Sequence, residues 1–262
     1  MHMGGYLRLR QICLVAKKLE PVESQLASVL GLEVCFRDPG VGKYGLHNAL
    51  FAMGGTFLEV VSPTQDGTAA GRYIDRRKGN GGYMFIVDCD NLEARREHYL
   101  KMGVRIVEDL KSGDETLMSE AIHLHPRDTG GCLLSVDRHS GGADMHGGYK
   151  WAGPDWQRHD RSATVSSIVG AELQSDDPAS LARRWADLLG RPILEMDDGG
   201  WELRLDHGFA RFVPTRNDRG EGMVAVHLAC KDAGAIRQAA KEAGVKAGER
   251  HVDIGGVRFV LA

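Results

Sequence analysis

The sequence predicts an α+β fold made of four similar units, each a strand followed by a helix and then by shorter strands. Strand-like apolar runs restart four times along the 262 residues. Each restart leads into a stretch with helical spacing of apolar residues that ends at a glycine, a residue that readily closes a helix. The helix ends also match in pairs: Leu30-Gly31 resembles Leu189-Gly190, and Gly103-Val104-Arg105 resembles Gly244-Val245-Lys246. This alternation indicates duplication of a two-unit block.

The first half contains two of these units. The first opens on the strand LRLRQICLVA, continues into the amphipathic helix EPVESQLASVLG and adds strands at residues 32–37, 46–52 and 56–61. The second opens on GGYMFIVDCD, continues into the helix NLEARREHYLKMG and adds strands near residues 104–108, 122–125 and 132–137. These elements predict a first domain over residues 1–140.

The second half repeats the pattern with shorter strands. Its third unit has a strand at 166–175, the helix DPASLARRWADLLG and the short meander WELRLDHGFARFVPT. The fourth runs from MVAVHLACKD through the helix AGAIRQAAKEAG to GVRFVLA. Between the halves, residues 141–163 are rich in glycine and tryptophan without periodicity, which predicts a linker. We expect residues 164–262 to form a second, degenerate domain that completes the packing or forms a homodimer interface.

The composition is that of an ordinary globular protein. The hydrophobic fraction is 42%, and the formal charge is −3, which gives no reason to expect a nucleic-acid or membrane partner. The sequence lacks a run of about 18 apolar residues, and MHMGGYLRLRQ lacks the apolar core of a signal peptide. Its five cysteines show no CxxC spacing, which favours reduced thiols. We therefore expect a cytoplasmic protein.

Four such units resemble the vicinal oxygen chelate superfamily, which includes glyoxalase I, extradiol dioxygenases, methylmalonyl-CoA epimerase and bleomycin-resistance proteins. The resemblance lies in four motifs: QICLVAKKLEP, FLEVVSP, GNGGYMFIVDCDNLEA and HPRDTGGCLLSVD. It covers the first ~140 residues by motif and the second half by pattern alone. The resemblance implies that two glyoxalase-like domains form and that the first curls into a cup around a ligand.

The resemblance also implies which positions would hold the superfamily's divalent metal. In the first half they carry Gln11, Glu59, Met84 and Ser135. In the second half they carry Gly170, Ala210, Ala225 and Val260, which offer no side-chain donor. A divalent transition metal needs several converging His, carboxylate or amide donors, so both sets are poor. We therefore expect no metal and no other cofactor.

Glu59 lies in the middle of the apolar run FLEVVSP. A carboxylate there is costly unless something pairs with it, protonates it or binds to it. Because side chains alternate along a strand, Glu59 shares its face with Phe57 and Val61. It either faces solvent, is satisfied by Gln11 or backbone groups, or lines the cup as a general base or acid.

Histidines supply the other candidate proton carriers. His123 and His125 alternate with apolar residues, so we expect them on one face, in the cup or at a solvated edge. His47 could shuttle a proton and Asn48 could bind a substrate carbonyl, although capping the strand explains either residue alone. His227 alternates with apolar neighbours in MVAVHLAC and is expected to be a satisfied core or interface histidine.

Three groups of residues have a structural and a functional interpretation. Arg127 and Asp128 belong to PRDTGG, where a turn explains the aspartate, but both could contact substrate. The cluster of Arg72, Arg76, Arg77 and Lys78 is expected to be the solvated face of a short helix, with substrate-anion binding as the alternative.

Trp151 and Trp156 of the linker are expected to pack between the domains or, alternatively, to cover the first cup.

The sequence thus predicts metal-independent proton-transfer chemistry, of lyase or isomerase type, on a small carbonyl- or carboxylate-bearing molecule. The expected catalytic residues are Glu59, His123, His125 and His47. The expected substrate-binding residues are Gln11, Asn48, Tyr83, Met84, Ser135, Arg127 and Asp128. One alternative is a bleomycin-resistance-like protein that only binds its ligand. Another is a metal enzyme that uses Glu59 and both strand histidines.

Overall fold

A computed structural model describes residues 5–114 and 117–262, and its strands form two curled sheets. The first sheet has eight strands in the order β2-β3-β4-β1-β5-β8-β7-β6. They are β1 (Leu7–Val15), β2 (Val34–Phe36), β3 (Leu46–Met53), β4 (Thr56–Pro63), β5 (Gly81–Cys89), β6 (Ile106–Gly113), β7 (Met118–Leu124) and β8 (Leu133–His139). The opening strands of the two units, β1 and β5, pair antiparallel at the centre, and each pairs parallel with the last strand of its own unit.

The second sheet repeats this arrangement with seven strands, in the order β10-β11-β12-β9-β13-β15-β14. They are β9 (Val165–Ser175), β10 (Ile193–Glu195), β11 (Trp201–Arg204), β12 (Phe209–Pro214), β13 (Gly222–Cys230), β14 (His251–Ile254) and β15 (Val257–Leu261). The described part of the fourth unit has two strands after its helix, where the other units have three. The predicted α+β fold of four related units is confirmed.

Six α-helices connect the strands of the described residues. They are α1 (Leu19–Leu30), α2 (Ala69–Arg76), α3 (Leu92–Lys101), α4 (Pro126–Thr129), α5 (Pro178–Leu189) and α6 (Ala233–Glu242). Gly31 and Gly190 end α1 and α5 with φ of 68° and 62°, the left-handed conformation that glycine adopts without strain. None of the described helices is long and apolar enough to cross a membrane.

The helix-covered faces of the two sheets share one hydrophobic core. Trp185 of α5 joins them, since its ring contacts Phe85 of the first sheet at 5.4 Å and Phe212 of the second at 5.5 Å. The opposite face of the first sheet is the concave one, hereafter the cup. Strand register places Cys13 beside Glu59 on this face. Leu58, the residue before Glu59, points to the other face and packs in the core.

The connection after α2 links the two halves through Arg77. This side chain is 3% exposed, and its Nη1 donates to the carbonyl oxygens of Arg219, Gly220 and Glu221 at 2.8, 2.5 and 2.6 Å. The expectation that the whole arginine cluster is solvated is therefore wrong for Arg77. Three main-chain carbonyl groups of one turn surround the guanidinium. Because these residues lie about 140 positions away in the sequence, the pattern around Arg77 could not predict the contact.

Replacing Arg77 with alanine is expected to lower the free energy of unfolding by about 2–3 kcal/mol, because buried carbonyls lose a charged donor. Urea denaturation measures this change. The matched control is Arg76→Ala, one residue earlier and exposed, which should change the free energy by less than about 0.5 kcal/mol. Equal losses in the two variants would contradict the structural role of Arg77.

Candidate functional site

Glu59 is the centre of a buried hydrogen-bonded group on the floor of the cup. It is 8% exposed, and its two carboxylate oxygens accept hydrogen bonds from different amides. Gln11 Nε2 donates at 2.9 Å and Asn48 Nδ2 at 2.6 Å. The Asp38 N–H donates to Asn48 Oδ1 at 2.8 Å and the Tyr149 hydroxyl to Gln11 Oε1 at 2.7 Å, so each amide has its NH₂ group towards Glu59.

This environment acts on the Glu59 carboxyl in two opposing ways. Burial raises its pKa above the ordinary value, while the hydrogen bonds from Asn48, Cys13 and Gln11 favour the ionised form. The net pKa is raised. A buried carboxylate with a raised pKa and a fixed orientation is a suitable general base.

A second buried acid, Asp137, lies on the same face, on β8. It is 2% exposed, and it accepts hydrogen bonds from Ser135 Oγ at 2.5 Å and from Trp151 Nε1 at 2.9 Å. Burial raises the pKa of Asp137 to about 7, and the nearby charge of Asp88 adds to this effect. Asp137 is not among the site residues that the sequence predicted, although strand alternation places it on the same face as Ser135, which is among them.

Residues 140–161, hereafter the cover segment, lie over one side of the cup. The Tyr149 ring stacks on Phe57 with centroids 4.2 Å apart, and Trp156 meets Phe57 edge-on at 4.9 Å. Both cover residues are 1% exposed. Of the two interpretations of the linker tryptophans, the structure therefore favours covering the first cup.

The other side of the cup is closed by α2. Tyr73 and Ile74 of this helix pack against Cys13 and Val61 of the sheet. Two predicted substrate-binding residues, Tyr83 and Met84, belong to the same apolar cluster, where the Tyr83 ring lies 5.1 Å from that of Tyr73. They form a wall between Glu59 and the helix.

His123 lies on β7 in register with Ser135, under the segment that joins β2 to β3. That segment reaches across the cup, where Lys43 Nζ lies 3.6 Å from Glu108 Oε2 of β6. Burial lowers the pKa of His123 to about 4. His139, further along the cup, bonds to Ser119 Oγ through Nδ1 at 2.7 Å, and burial together with Arg10 and Arg8 lowers its pKa to about 3.

Both histidines are therefore expected to remain neutral from pH 7 down to about pH 5. Their pKa values are depressed in the folded state, so their contribution to stability is present above pH 6.5. It is lost as the pH falls towards 4 for His123 and 3 for His139, by ~1.4 kcal/mol per pH unit for each. NMR titration of the imidazole ¹³C shifts, assigned with His123→Gln and His139→Gln variants, measures these values. Protonation of either ring near pH 6.5 would contradict the expected desolvation.

The remaining predicted site residues lie away from Glu59. His47 is exposed on the opposite side of β3, in a surface cleft of about 470 Å³. His125 caps α4, where its Nδ1 accepts from the Arg127 N–H at 3.1 Å. Asp128 binds Arg105 through both carboxylate oxygens, at 2.6 and 2.9 Å, which lowers its pKa. The structure thus brings Gln11 and Asn48 into contact with Glu59 and places Tyr83, Met84, Ser135 and His123 along the same face of the sheet. It does not bring His47, His125, Arg127 or Asp128 to this site.

The concave face of the second sheet carries charged pairs. Glu172 lies 3.0 Å from His227 Nε2 and 3.0 Å from Arg216 Nη1, so His227 is satisfied, as predicted. Register pairs Glu172 with Arg211, while Ala210 is buried in the shared core. The resemblance implied that Ala210 occupies a metal position, which would lie on the concave face. That assignment is wrong by one residue, because neighbouring residues of a strand point to opposite faces of the sheet.

The first cup does not offer a suitable donor set for a divalent metal. Both oxygens of Glu59 accept amide N–H groups, Gln11 Oε1 accepts the Tyr149 hydroxyl, and Ser135 donates to Asp137. Met84 adds only a thioether. Within residues 5–114 and 117–262, no group of three or more His, Cys, Asp or Glu could hold an ion. The residues therefore do not fit the superfamily's metal.

Comparison with known families agrees with this architecture. A family model described as a glyoxalase-like domain matches residues 12–189. The chain belongs to this family, within the vicinal oxygen chelate superfamily. The match runs from β1 to the end of α5, so it includes the cup and the cover segment of this glyoxalase-like protein.

Solved structures of similar fold span most of the chain. A hypothetical protein from Staphylococcus aureus is 14% identical with a TM-score of 0.67, covering 98% of this chain and 99% of the other. An Mn(II)-bound glyoxalase from Novosphingobium aromaticivorans is 16% identical with a TM-score of 0.67, covering 97% and 81%. A mutant 4-hydroxymandelate synthase from Streptomyces coelicolor is 11% identical with a TM-score of 0.66, covering 92% and 76%. At these identities the likeness shows the fold alone. No curated protein matches the sequence.

Proposed function

We propose that this glyoxalase-like protein is an enzyme that transfers a proton on a small carbonyl- or carboxylate-bearing molecule in the first cup, without a metal. The observation that supports it is the Glu59 carboxylate, buried yet held by one amide on each oxygen. Such a group is costly to maintain and is suited to act as a base.

Glu59 carries the proton in this proposal. It removes a proton from the carbon next to the substrate carbonyl, and the C–H electron pair moves to the carbonyl oxygen. The protonated Glu59 carboxyl then returns this proton, or one exchanged with solvent, to the substrate. Returning a proton to carbon gives an isomerase, and expelling a group from the neighbouring carbon gives a lyase. His123, neutral at physiological pH, serves as a hydrogen-bonding group and not as a cation.

Solvent-deuterium exchange tests this proposal. The protein is incubated in D₂O with a panel of 2-oxo acids and 2-substituted carboxylic acids, and loss of the carbon-bound proton is followed by ¹H NMR. The proposal predicts protein-dependent exchange for at least one compound. A compound that binds tightly and is recovered without exchange or conversion would instead support the binding function.

Pure ligand binding is the alternative function, and one observation favours it. Aromatic residues make up only 6% of the sequence, but folding concentrates Phe57, Tyr149 and Trp156 at the cup. An aromatic wall is typical of sites that sequester planar molecules. The exchange experiment separates the two functions.

A further inference from the structure

Arg10 is a fully buried arginine on the cup side of β1. Its side chain is 0% exposed. The β1–β5 pairing shifts between Leu9 and Gln11, so Arg10 is the extra residue of a bulge. Its guanidinium lies beside the stacked rings of Phe57 and Tyr149, 5.4 Å from the centroid of the first and 5.1 Å from that of the second.

The charges around Arg10 do not balance. Asp88 is the only carboxylate of the described residues within 4.0 Å of Arg10, at 3.8 Å. Asp88 is already bound by Arg8, through Nε at 3.1 Å and Nη2 at 2.7 Å. Two buried guanidinium groups therefore share one carboxylate. A surplus buried charge is strongly unfavourable unless an anion compensates it.

Hydrogen bonding at Arg10 is also incomplete. Its Nε and Nη2 make no hydrogen bond to the described residues, although Nε is the atom 3.8 Å from Asp88, and Nη1 contacts the Met145 sulfur at 3.0 Å. The neighbouring His139, whose ring lies 4.5 Å from that of Tyr149, has no hydrogen bond at Nε2, which lies 3.9 Å from Asp137 Oδ2. The buried donors of Arg10 without hydrogen bonds, beside an aromatic ring, mark a place that suits an anionic, planar group.

The cover segment can give access to this place. It contains five glycines and no strand or α-helix: Gly141, Gly142, Gly147, Gly148 and Gly153. Its ends are anchored, by Arg8 to the Ala143 carbonyl oxygen at 2.9 Å and by His159 to Glu33 at 2.7 Å. Between the anchors, Tyr149 and Trp151 each donate one side-chain hydrogen bond to a cup residue.

We propose that Arg10 binds the carboxylate of a small planar acid, which enters when the cover segment lifts Tyr149 out of the cup. The inference rests on the proposed function and specifies the substrate class of the same cup. In the closed form the Tyr149 ring occupies the position of the planar group, stacked on Phe57 and bonded to Gln11.

Calorimetric titration with benzoate tests the inference. Wild-type protein should bind benzoate, and Arg10→Met should weaken binding about 10-fold or more through loss of a charged, two-pronged donor. Tyr149→Ala, which clears the ring position, should strengthen binding about 10-fold or more. Neutral benzamide should bind wild-type protein and Arg10→Met equally. Equal benzoate affinity of these two proteins, or tighter binding of phenyl phosphate than of benzoate, would overturn the carboxylate assignment.

Stability provides a second readout. Because Arg10→Met removes a surplus buried charge, it should raise the urea midpoint, whereas Arg8→Met should lower it. A lower midpoint for both Arg10→Met and Arg10→Gln would show a structural role and overturn the inference. Exchange activity without Arg10-dependent benzoate binding would overturn this inference alone. Arg10-dependent binding without exchange of any compound would overturn the enzyme proposal alone.

Discussion

Glu59→Gln is expected to lower the rate of solvent-deuterium exchange about 10²- to 10⁴-fold, the usual contribution of a general base. Glutamine keeps the shape of the side chain but cannot accept a proton at neutral pH. In wild-type protein the exchange rate should rise with pH through the raised pKa of Glu59, since only the ionised form is active. The measurement is exchange by ¹H NMR, on a substrate found with wild-type protein, from pH 4 to 8.

The variant should still fold, at a moderate cost. One amide NH₂ group that faced a carboxylate oxygen now faces the NH₂ of the new glutamine, which costs about 1–3 kcal/mol. The control is Glu202→Gln, a buried glutamate of the second sheet that pairs with Arg204 and Arg211, which is expected to affect stability but not exchange. Wild-type exchange rates in Glu59→Gln, with the variant folded by circular dichroism, would contradict the assignment of Glu59 as the base.

Asp137→Asn is expected to raise the free energy of unfolding above pH 7. The folded-state pKa of Asp137 is raised to about 7 from 3.8, so its stabilising contribution is full below 3.8 and is lost as the pH rises through 7. At ~1.4 kcal/mol per pH unit, the ionised form costs up to about 4 kcal/mol. Asparagine avoids this cost, because its amide can donate to Ser135 and accept from Trp151.

Urea denaturation at pH 4 and pH 8 measures the effect. The gain in Asp137→Asn should be largest at pH 8 and close to zero at pH 4, while exposed Asp75→Asn should change by less than about 0.5 kcal/mol at both. A gain of equal size at both pH values would show that ionisation of Asp137 is not its cause. A carboxyl that lowers stability at neutral pH is most simply explained by function.

The repeat predicted most of the fold because its signals are local. Helix-ending glycines and alternating apolar strands act over a few residues, so Gly31 and Gly190 predicted the ends of α1 and α5. Alternation around Glu59 also predicted the face that it shares with Phe57. The resemblance to the superfamily gave the wrong residue at Ala210, because a one-residue shift in the alignment exchanges the two faces of a strand.

Charged residues that reach distant partners could not be assigned from local patterns. Arg77 follows a solvated helix in sequence, yet three carbonyls from residues 219–221 surround its guanidinium. His125 continues the alternation of β7, but the strand ends at Leu124 and the imidazole caps the next turn. In both cases the environment of the side chain is set by where the folded chain runs, which the spacing of apolar residues around it does not show.

The sequence by itself determined the four-unit α+β fold and the apolar surroundings of Glu59, because both follow from periodicity and from the cost of burying a charge. Only the tertiary structure decided what the cup contains. Folding lays Tyr149 and Trp151 over it, buries Asp137 beneath them and leaves Arg10 beside a carboxylate that Arg8 already binds. These contacts join residues up to 138 positions apart, and contacts over such sequence separations produce no repeating pattern from which they could be predicted.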